Sequence, residues 1–178
     1  SLKATGGDSG AGIGGGVNGS GENITINGGS VTATGGKWAA GIGGGVGNGK
    51  NITINGGTVN ATGTDGGAGI GGGVNGIGSK VTVSGAAQVT ATATGSGPDW
   101  SGVGTGATIG NGGSKTPDGP VDGKEIQADI KGLTTGYIHH IIYNLDDSLK
   151  REWWEPERPQ PTPEDPNAPA EESNEVDL

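Results

Sequence analysis

Residues 40–62 read AGIGGGVGNGKNITINGGTVNAT, and this stretch holds one copy of each of three short sequence elements. All three elements recur elsewhere in the chain in the same order, about 28–30 residues apart. A tandem array with that unit therefore organises the chain. The copies are AGIGGGV at 11–17, 40–46 and 68–74; NITING at 23–28 and 51–56, with KVTVSG at 80–85; and LKATG at 2–6, SVTATG at 30–35, TVNATG at 58–63 and QVTATATG at 88–95.

Apolar and polar residues alternate in the second and third elements, which is the pattern of a β-strand with one buried face. Stacking the copies places like residues on each other, so apolar columns face the interior while Thr and Asn ladders face solvent. A degraded fourth copy of AGIGGGV is expected at SGVGTGA, residues 101–107, with Val103 in the apolar column. The expected columns are Ile24/Ile52/Val81, Ile26/Ile54/Val83, Val31/Val59/Val89, Ala33/Ala61/Ala91 and Ile13/Ile42/Ile70/Val103.

Three strands per unit joined by Gly-rich corners describe one coil of a parallel β-solenoid, whose strand spacing of ~4.8 Å sets the stacking distance. We therefore predict an all-β fold, a right-handed parallel β-helix of three to four coils, its hand following from the usual sense of parallel crossovers. A competing interpretation takes the Asn-Gly pairs at 27–28 and 55–56 as hairpin turns of an antiparallel meander or small propeller. The solenoid is favoured because a meander has only one core face.

The composition excludes several other classes. Of 178 residues 43 are Gly, 29% are hydrophobic and 3% aromatic, which is too little apolar volume for a conventional layered core. The chain has no Cys, so disulfide frameworks and Cys-ligated metal sites are excluded. No run approaches ~18 consecutive apolar residues, so no membrane span is expected.

The net charge of −9 is distributed unevenly along the chain. Residues 1–151 hold ten acids and nine bases, whereas residues 152–178 hold nine acids and one base. The body is therefore nearly neutral and the acidity belongs to the tail. Neither part offers the basic patch that a nucleic-acid-binding surface requires.

The chain is predicted to divide into three parts: a Gly-rich solenoid at 1–114, a small C-terminal β cap at 115–155, and a Pro-rich acidic linker or tail at 156–178. The cap collects most of the bulky side chains, among them Tyr137 and Trp153. Such a cap would bury the ends of the apolar columns and block edge pairing.

Two β-rich segments within the cap, EIQADIK at 125–131 and YIHHIIYN at 137–144, are expected to pair as a hairpin through the loop at 132–136. The segment 146–154 fits either a further strand or one short helix, and the sequence does not decide between them.

The strings GAGIGGG, NITINGG and SVTATGG together resemble the Gly-rich repeats of large bacterial surface proteins that are often described as adhesin-like. The resemblance covers roughly residues 2–107. It implies right-handed parallel β-helices, some of them carbohydrate-binding, but it carries no functional residues over to this chain. The Pro-rich acidic tail resembles the stalks that connect such modules to a cell envelope.

Catalytic motifs are weak in this sequence. His139 and His140 are adjacent, and consecutive strand residues point to opposite faces, so they are not expected to share one metal or substrate. AGIGGGV is not a phosphate loop, because no helix-forming segment follows it. We expect no enzyme activity, no cofactor and no metal site; a calcium site built on Asp8, Asp65 and Asp99 is a weaker alternative.

The loop before each Gly-rich strand varies while its surroundings repeat. A Trp offers a flat apolar face to a sugar ring and a nearby carboxylate accepts hydroxyl hydrogen bonds, so these loops predict a ligand-binding edge. The alternative is that the Trp side chains simply cover corners of the core. The candidate ligand-binding residues are Trp38, Asp65, Asp99 and Trp100, accompanied by Asp8 and Lys37.

These observations predict a non-enzymatic, adhesin-like binding module of a bacterial protein, secreted or at the cell surface, with an extracellular glycan or host surface as its partner. The alternative is a structural stalk or spacer repeat. Ice binding through the Thr ladders is less favoured, because Lys3 and Asn60 interrupt two of the four rows.

Overall fold

The computed structural model describes residues 1–95 and 102–158, and these residues form a β-solenoid of about three turns with no helix among them. Each turn contributes three strands, and further strands follow at the C-terminal end. The strands are β1 Leu2–Thr5, β2 Ile13–Gly14, β3 Gly21–Ile26, β4 Ser30–Thr34, β5 Ile42–Gly43, β6 Gly49–Ile54, β7 Thr58–Thr62, β8 Ile70–Gly71, β9 Gly78–Val83, β10 Gln88–Thr94, β11 Ile109–Gly110, β12 Ser114–Thr116, β13 Gly119–Val121, β14 Tyr137–Tyr143 and β15 Leu149–Glu155.

Each repeated element builds one sheet that runs along the solenoid, and neighbouring strands within it are parallel copies from successive turns. The VTATG element gives the order β1-β4-β7-β10, NITING gives β3-β6-β9, and AGIGGGV gives β2-β5-β8-β11. Parallel pairing between residues one unit apart confirms the solenoid. The meander interpretation is wrong, since its hairpin turns would make these neighbours antiparallel.

The interior consists of the predicted columns. Ile52 lies in register between Ile24 and Val81, and its side chain is 0% exposed. Ile70 and Val59 are equally buried in their own columns. Small apolar residues suffice because the tube between the three sheets is narrow. The first turn is the partial exception, since Ile13 and Ile24 have a neighbouring turn on one side only and are half-buried.

The fourth position of the AGIGGGV column is occupied by Ile109, so the expectation of Val103 there is wrong. Ile109 pairs with Ile70, and the glycines that follow them, Gly110 and Gly71, both have a positive φ. The chain between β10 and β11 is longer than in the earlier turns. Within this longer connection the Thr105 amide donates to Asp122 Oδ1 at 3.0 Å, so this stretch packs beside the following segment and not in the column.

The hairpin expected between 125–131 and 137–144 is also wrong, because both segments stack on the third turn in the order of the repeat. The first forms bridges to β9, with Asp129 opposite Thr82, and the second pairs in parallel with β10, with Ile138 opposite Val89. Parallel stacking satisfies the backbone groups that the third turn leaves open and also extends its apolar columns.

The strand alternative for the next segment is confirmed. It forms β15, which pairs antiparallel with β14 and is the last strand of a six-stranded sheet. A short antiparallel hairpin of β12 and β13 lies between β11 and β14 in the chain order. None of the described segments is a helix of the length and hydropathy that crossing a membrane would require.

Candidate functional site

Trp38 occupies the corner between β4 and β5, where the backbone must turn sharply. Its φ is +66°, a left-handed conformation that is rare for a bulky side chain. The side chain is half-buried, and the Lys37 ammonium lies 4.6 Å from the centre of its ring. The Trp38 carbonyl accepts a hydrogen bond of 2.8 Å from the Val74 amide, which ties this corner to the next turn.

Equivalent corners of the first and third turns carry different residues. The pairing of Ile13, Ile42 and Ile70 places Ser9, Trp38 and Gly66 at the same position, four residues before each isoleucine. All three have positive φ. The residues one position earlier are Asp8, Lys37 and Asp65, so a lysine lies between two acids along the stack. The corner is thus a fixed backbone frame with variable side chains.

The structure brings two of the four candidate ligand-binding residues to the same corner of neighbouring turns. Trp38 lies in the second turn, and Asp65 lies in the third turn with φ of +48°. Asp99 and Trp100 lie outside the described residues. Asp8 is exposed at the first-turn corner. Within the described part of the chain, no three or more His, Asp or Glu side chains cluster closely enough to hold a metal ion.

A buried network of polar side chains, which the sequence did not predict, lies in the partial fourth turn formed by β11, the segment 125–131 and β14. His140 takes the place that Ala91 holds one turn earlier, and it is 1% exposed. Its Nδ1 lies 2.6 Å from Thr108 Oγ1, which in turn lies 2.9 Å from Glu125 Oε2. The Glu125 carboxyl group also accepts the amides of Thr108 and Ile109 at 2.6 and 3.1 Å.

Burial shifts the pKa values of the two titratable groups in this network, Glu125 and His140, in opposite directions. It raises the pKa of Glu125, and it lowers the pKa of His140 to about 4 with smaller contributions from His139 and Arg151. The Thr108 hydroxyl group donates to Glu125 Oε2, so its oxygen accepts a hydrogen bond from Nδ1–H of neutral His140. The other ring nitrogen, Nε2, lies 3.1 Å from Glu155 Oε1 without a hydrogen bond of good geometry.

The depressed pKa of His140 predicts a pH-dependent stability. Between about pH 6.5 and pH 4 the unfolded chain binds a proton at this residue and the folded chain does not, so stability is lost as the pH falls through that window. The expected loss is about 2 kcal/mol of the free energy of unfolding by pH 4.5. Urea titrations at pH 7 and pH 4.5 measure it.

The matched control for this prediction is His140→Ala, because alanine is the native residue of this column in the four preceding strands of the sheet. The variant should be less stable at pH 7 and should lose less stability on acidification. Glu125 contributes in the opposite direction in both proteins, since a raised carboxyl pKa favours the folded state as the pH falls. Identical pH profiles for the two proteins would contradict the assignment.

A second polar cluster lies on the outer face of the β14–β15 pair. His139 stacks on Trp154 at 3.7 Å between ring centres, and its Nε2 lies 2.5 Å from Glu152 Oε1. Tyr137 meets the same indole edge-on at 5.2 Å. The two adjacent histidines therefore point to opposite faces, as the alternation of a strand predicts.

The Thr ladder follows the predicted register on the outer face of the large sheet. Thr32 pairs with Asn60, and Asn60 pairs with Thr90. The neighbouring sheet has an Asn ladder, in which Asn51 Nδ2 donates to Asn23 Oδ1 at 3.0 Å. These contacts join successive turns on the surface, as the columns join them inside.

Comparison with known protein families agrees with this geometry. The family model described as a beta helix repeat matches residues 1–17, 24–46 and 52–74. No curated protein and no solved structure matches the chain. The matched segments contain β1, β2, β4, β5, β7 and β8, together with the last residues of β3 and β6. These three segments thus carry beta-helix repeats, and the described chain is a β-solenoid of about three turns.

Proposed function

We propose that this chain is a non-enzymatic, adhesin-like binding module that contacts glycan through the corner carrying Trp38. The observation that supports this most directly is the left-handed backbone of Trp38, at a position where the neighbouring turns use Ser9 and Gly66. A left-handed conformation at a non-glycine residue costs roughly 1–2 kcal/mol. Strain of this kind clusters at binding sites, where the side chain has a use beyond the fold.

The chemistry of the corner suits a sugar. An indole offers a flat apolar face to the C–H side of a pyranose ring. Lys37 and Asp65 add a hydrogen-bond donor and an acceptor on the same edge of the solenoid. A rigid scaffold with variable corners is also the arrangement in which recognition usually occurs. A bacterial, Gly-rich module, secreted or held at the cell surface, is the setting that we propose for this function.

The substitution Trp38→Gly tests the proposal, and the chain supplies its own control because Gly66 occupies the equivalent corner. Glycine relieves the positive φ, so the variant should keep its thermal midpoint within a few degrees while losing the indole. We expect the intact chain to bind a subset of a glycan array and the variant to lose that signal at least tenfold. Equal binding by the folded variant, or no binding by the intact chain, would contradict the proposal.

A structural spacer is the second candidate, and the continuity of the stack favours it. Hydrogen bonds link successive turns at the corners as well as in the sheets, including the bond from Val74 to Trp38. Trp38 would then only cover its corner. An intact chain that binds no glycan and no cell surface, with a Trp38→Gly variant that melts at least 5 °C lower, would support the spacer.

A further inference from the structure

We propose a second binding site, a cleft along the free edge of β15 that takes a carboxylate-bearing glycan through Arg151 and Arg158. These two residues are the only arginines in the sequence, and both line the same cleft of about 840 Å³. Gln127 and Ile130 line it as well, and they come from the segment stacked on β9. The site is separate from the Trp38 corner and does not depend on it.

Two matching three-layer stacks border the cleft. Trp153 lies parallel to His140 at 4.4 Å, and the Arg151 guanidinium carbon lies 4.1 Å from the same ring centre. Since the imidazole already covers one face of the indole, the guanidinium lies over the other. Cation–π contact of this kind holds the flat guanidinium in a fixed plane and leaves its N–H groups at the edges available.

The second stack repeats the arrangement on the opposite face of the strand. Trp154 lies against His139 on one side, and the Arg158 guanidinium carbon lies 3.5 Å from its ring centre. Successive residues of a strand point to opposite faces, so the stacks of Trp153 and Trp154 lie on either side of β15. Both arginines nevertheless line the one cleft, so a ligand that extends along the edge of this strand can contact both guanidinium groups.

Neither guanidinium is within 4 Å of a carboxylate in the described residues. Three acids line the cleft, and two of them have other partners: Glu152 is bonded to His139, while Glu155 accepts from Gln127 at 2.6 Å and lies beside His140. Arginine binds a carboxylate with two parallel hydrogen bonds, which is the strongest use of these donors. The two guanidinium groups thus favour a ligand whose carboxylate lies against them and away from Glu157.

The edge itself favours a glycan over a peptide strand. Lys150, Arg151 and Glu152 are consecutive on β15, and charged residues on an edge strand disfavour pairing with a further strand. Gln127 and Glu155 provide donors and acceptors for sugar hydroxyl groups. The volume of the cleft lies within the range of small-ligand sites. A uronate-containing oligosaccharide combines the carboxylate and the hydroxyl groups.

Calorimetric titration of the full chain with a hyaluronan tetrasaccharide tests this site. We expect the affinity to fall at least tenfold in Arg151→Gln and in Arg158→Gln, because each substitution removes charge-assisted hydrogen bonds. The loss should be smaller in Arg151→Lys, which keeps the positive charge. Lys3→Gln removes one positive charge at the far end of the same sheet and should leave the affinity unchanged. Glu157→Gln, which removes a carboxylate from the cleft, should strengthen binding.

Several results would overturn the inference. One is equal affinity for the methyl ester of the same tetrasaccharide, since the ester removes the carboxylate charge. Others are full binding by both folded arginine variants, and tighter binding of an acidic peptide such as hexaglutamate. Trp38→Gly separates the two proposals: hyaluronan binding that survives this substitution belongs to the cleft, and binding that disappears with it belongs to the corner.

Discussion

Replacing Gly43 with alanine is expected to destabilise the chain by more than about 3 kcal/mol, because the added methyl group meets backbone that cannot move away. Gly43 has φ of +133°, and a Cβ built on it lies 2.1 Å from the carbonyl oxygen of Gly71. That carbonyl accepts the amide of Gly44 at 2.9 Å, so it is fixed by the stacking itself. Thermal and urea unfolding measure the loss.

Gly28→Ala is the matched control for this substitution. A Cβ at Gly28 would meet nothing within 4 Å, so we expect a change of less than about 0.5 kcal/mol. Both residues belong to the repeat, and only at Gly43 is the position of the added Cβ already filled by the backbone of the next turn. Similar stability of the two variants would show that the turns do not approach as closely as described.

The substitution Ile52→Asn is expected to cost about 2–5 kcal/mol, the second large effect. The Ile52 side chain is fully buried in a column between Ile24 and Val81, where the neighbouring side chains are hydrocarbon. An amide there has no side-chain hydrogen-bond partner in its column, and it also removes apolar contacts with both neighbouring turns. Urea unfolding of the variant gives the difference directly.

Thr32→Asn introduces the same residue on the outer face and serves as the control. The chain already carries Asn60 at the paired position one turn later, so the change should stay within about 0.5 kcal/mol. If Thr32→Asn were as damaging as Ile52→Asn, the assignment of inner and outer faces would be contradicted.

The first three turns could be predicted because each structural feature recurs in the sequence. Ile24, Ile52 and Val81 share a column since the same alternation returns after every unit, and parallel stacking requires like residues at equal spacing. An alternating strand also fixes the inner face, because a shift by one residue would turn Thr53 inward. The periodicity therefore determined both the register and the core.

The fourth turn could not be predicted in the same way. Val103 and Ile109 are both followed by glycine, and only the pairing with Ile70 distinguishes them. The segments at 125–131 and 137–144 read equally well as hairpin partners or as stacked strands. Stacking is favoured because it pairs the open backbone groups at the edge of the third turn. That edge exists only once the preceding turns have assembled, so the sequence of these two segments does not show it.

The candidate sites also differ in how far the sequence could predict them. The sequence could single out Trp38 because the residue at this position differs between copies of the repeat, but it could not predict the left-handed backbone conformation there. The chain from Glu125 through Thr108 to His140 joins residues without a repeat pattern. One signal was available: His140 stands between Ile138 and Ile142 in the alternation, which places it on the inner face.

Parallel stacking of the turns in register is the central claim, and nitroxide labelling tests it most directly in a chain without native cysteine. Cysteines introduced at residue pairs 32/60 and 32/90 would carry the labels on the outer face. Parallel stacking predicts separations of about 4.8 Å and about twice that between the labelled backbones, and hence strong dipolar broadening for the first pair and weaker broadening for the second. Equal broadening of the two pairs, or stronger broadening of 32/90, would contradict it.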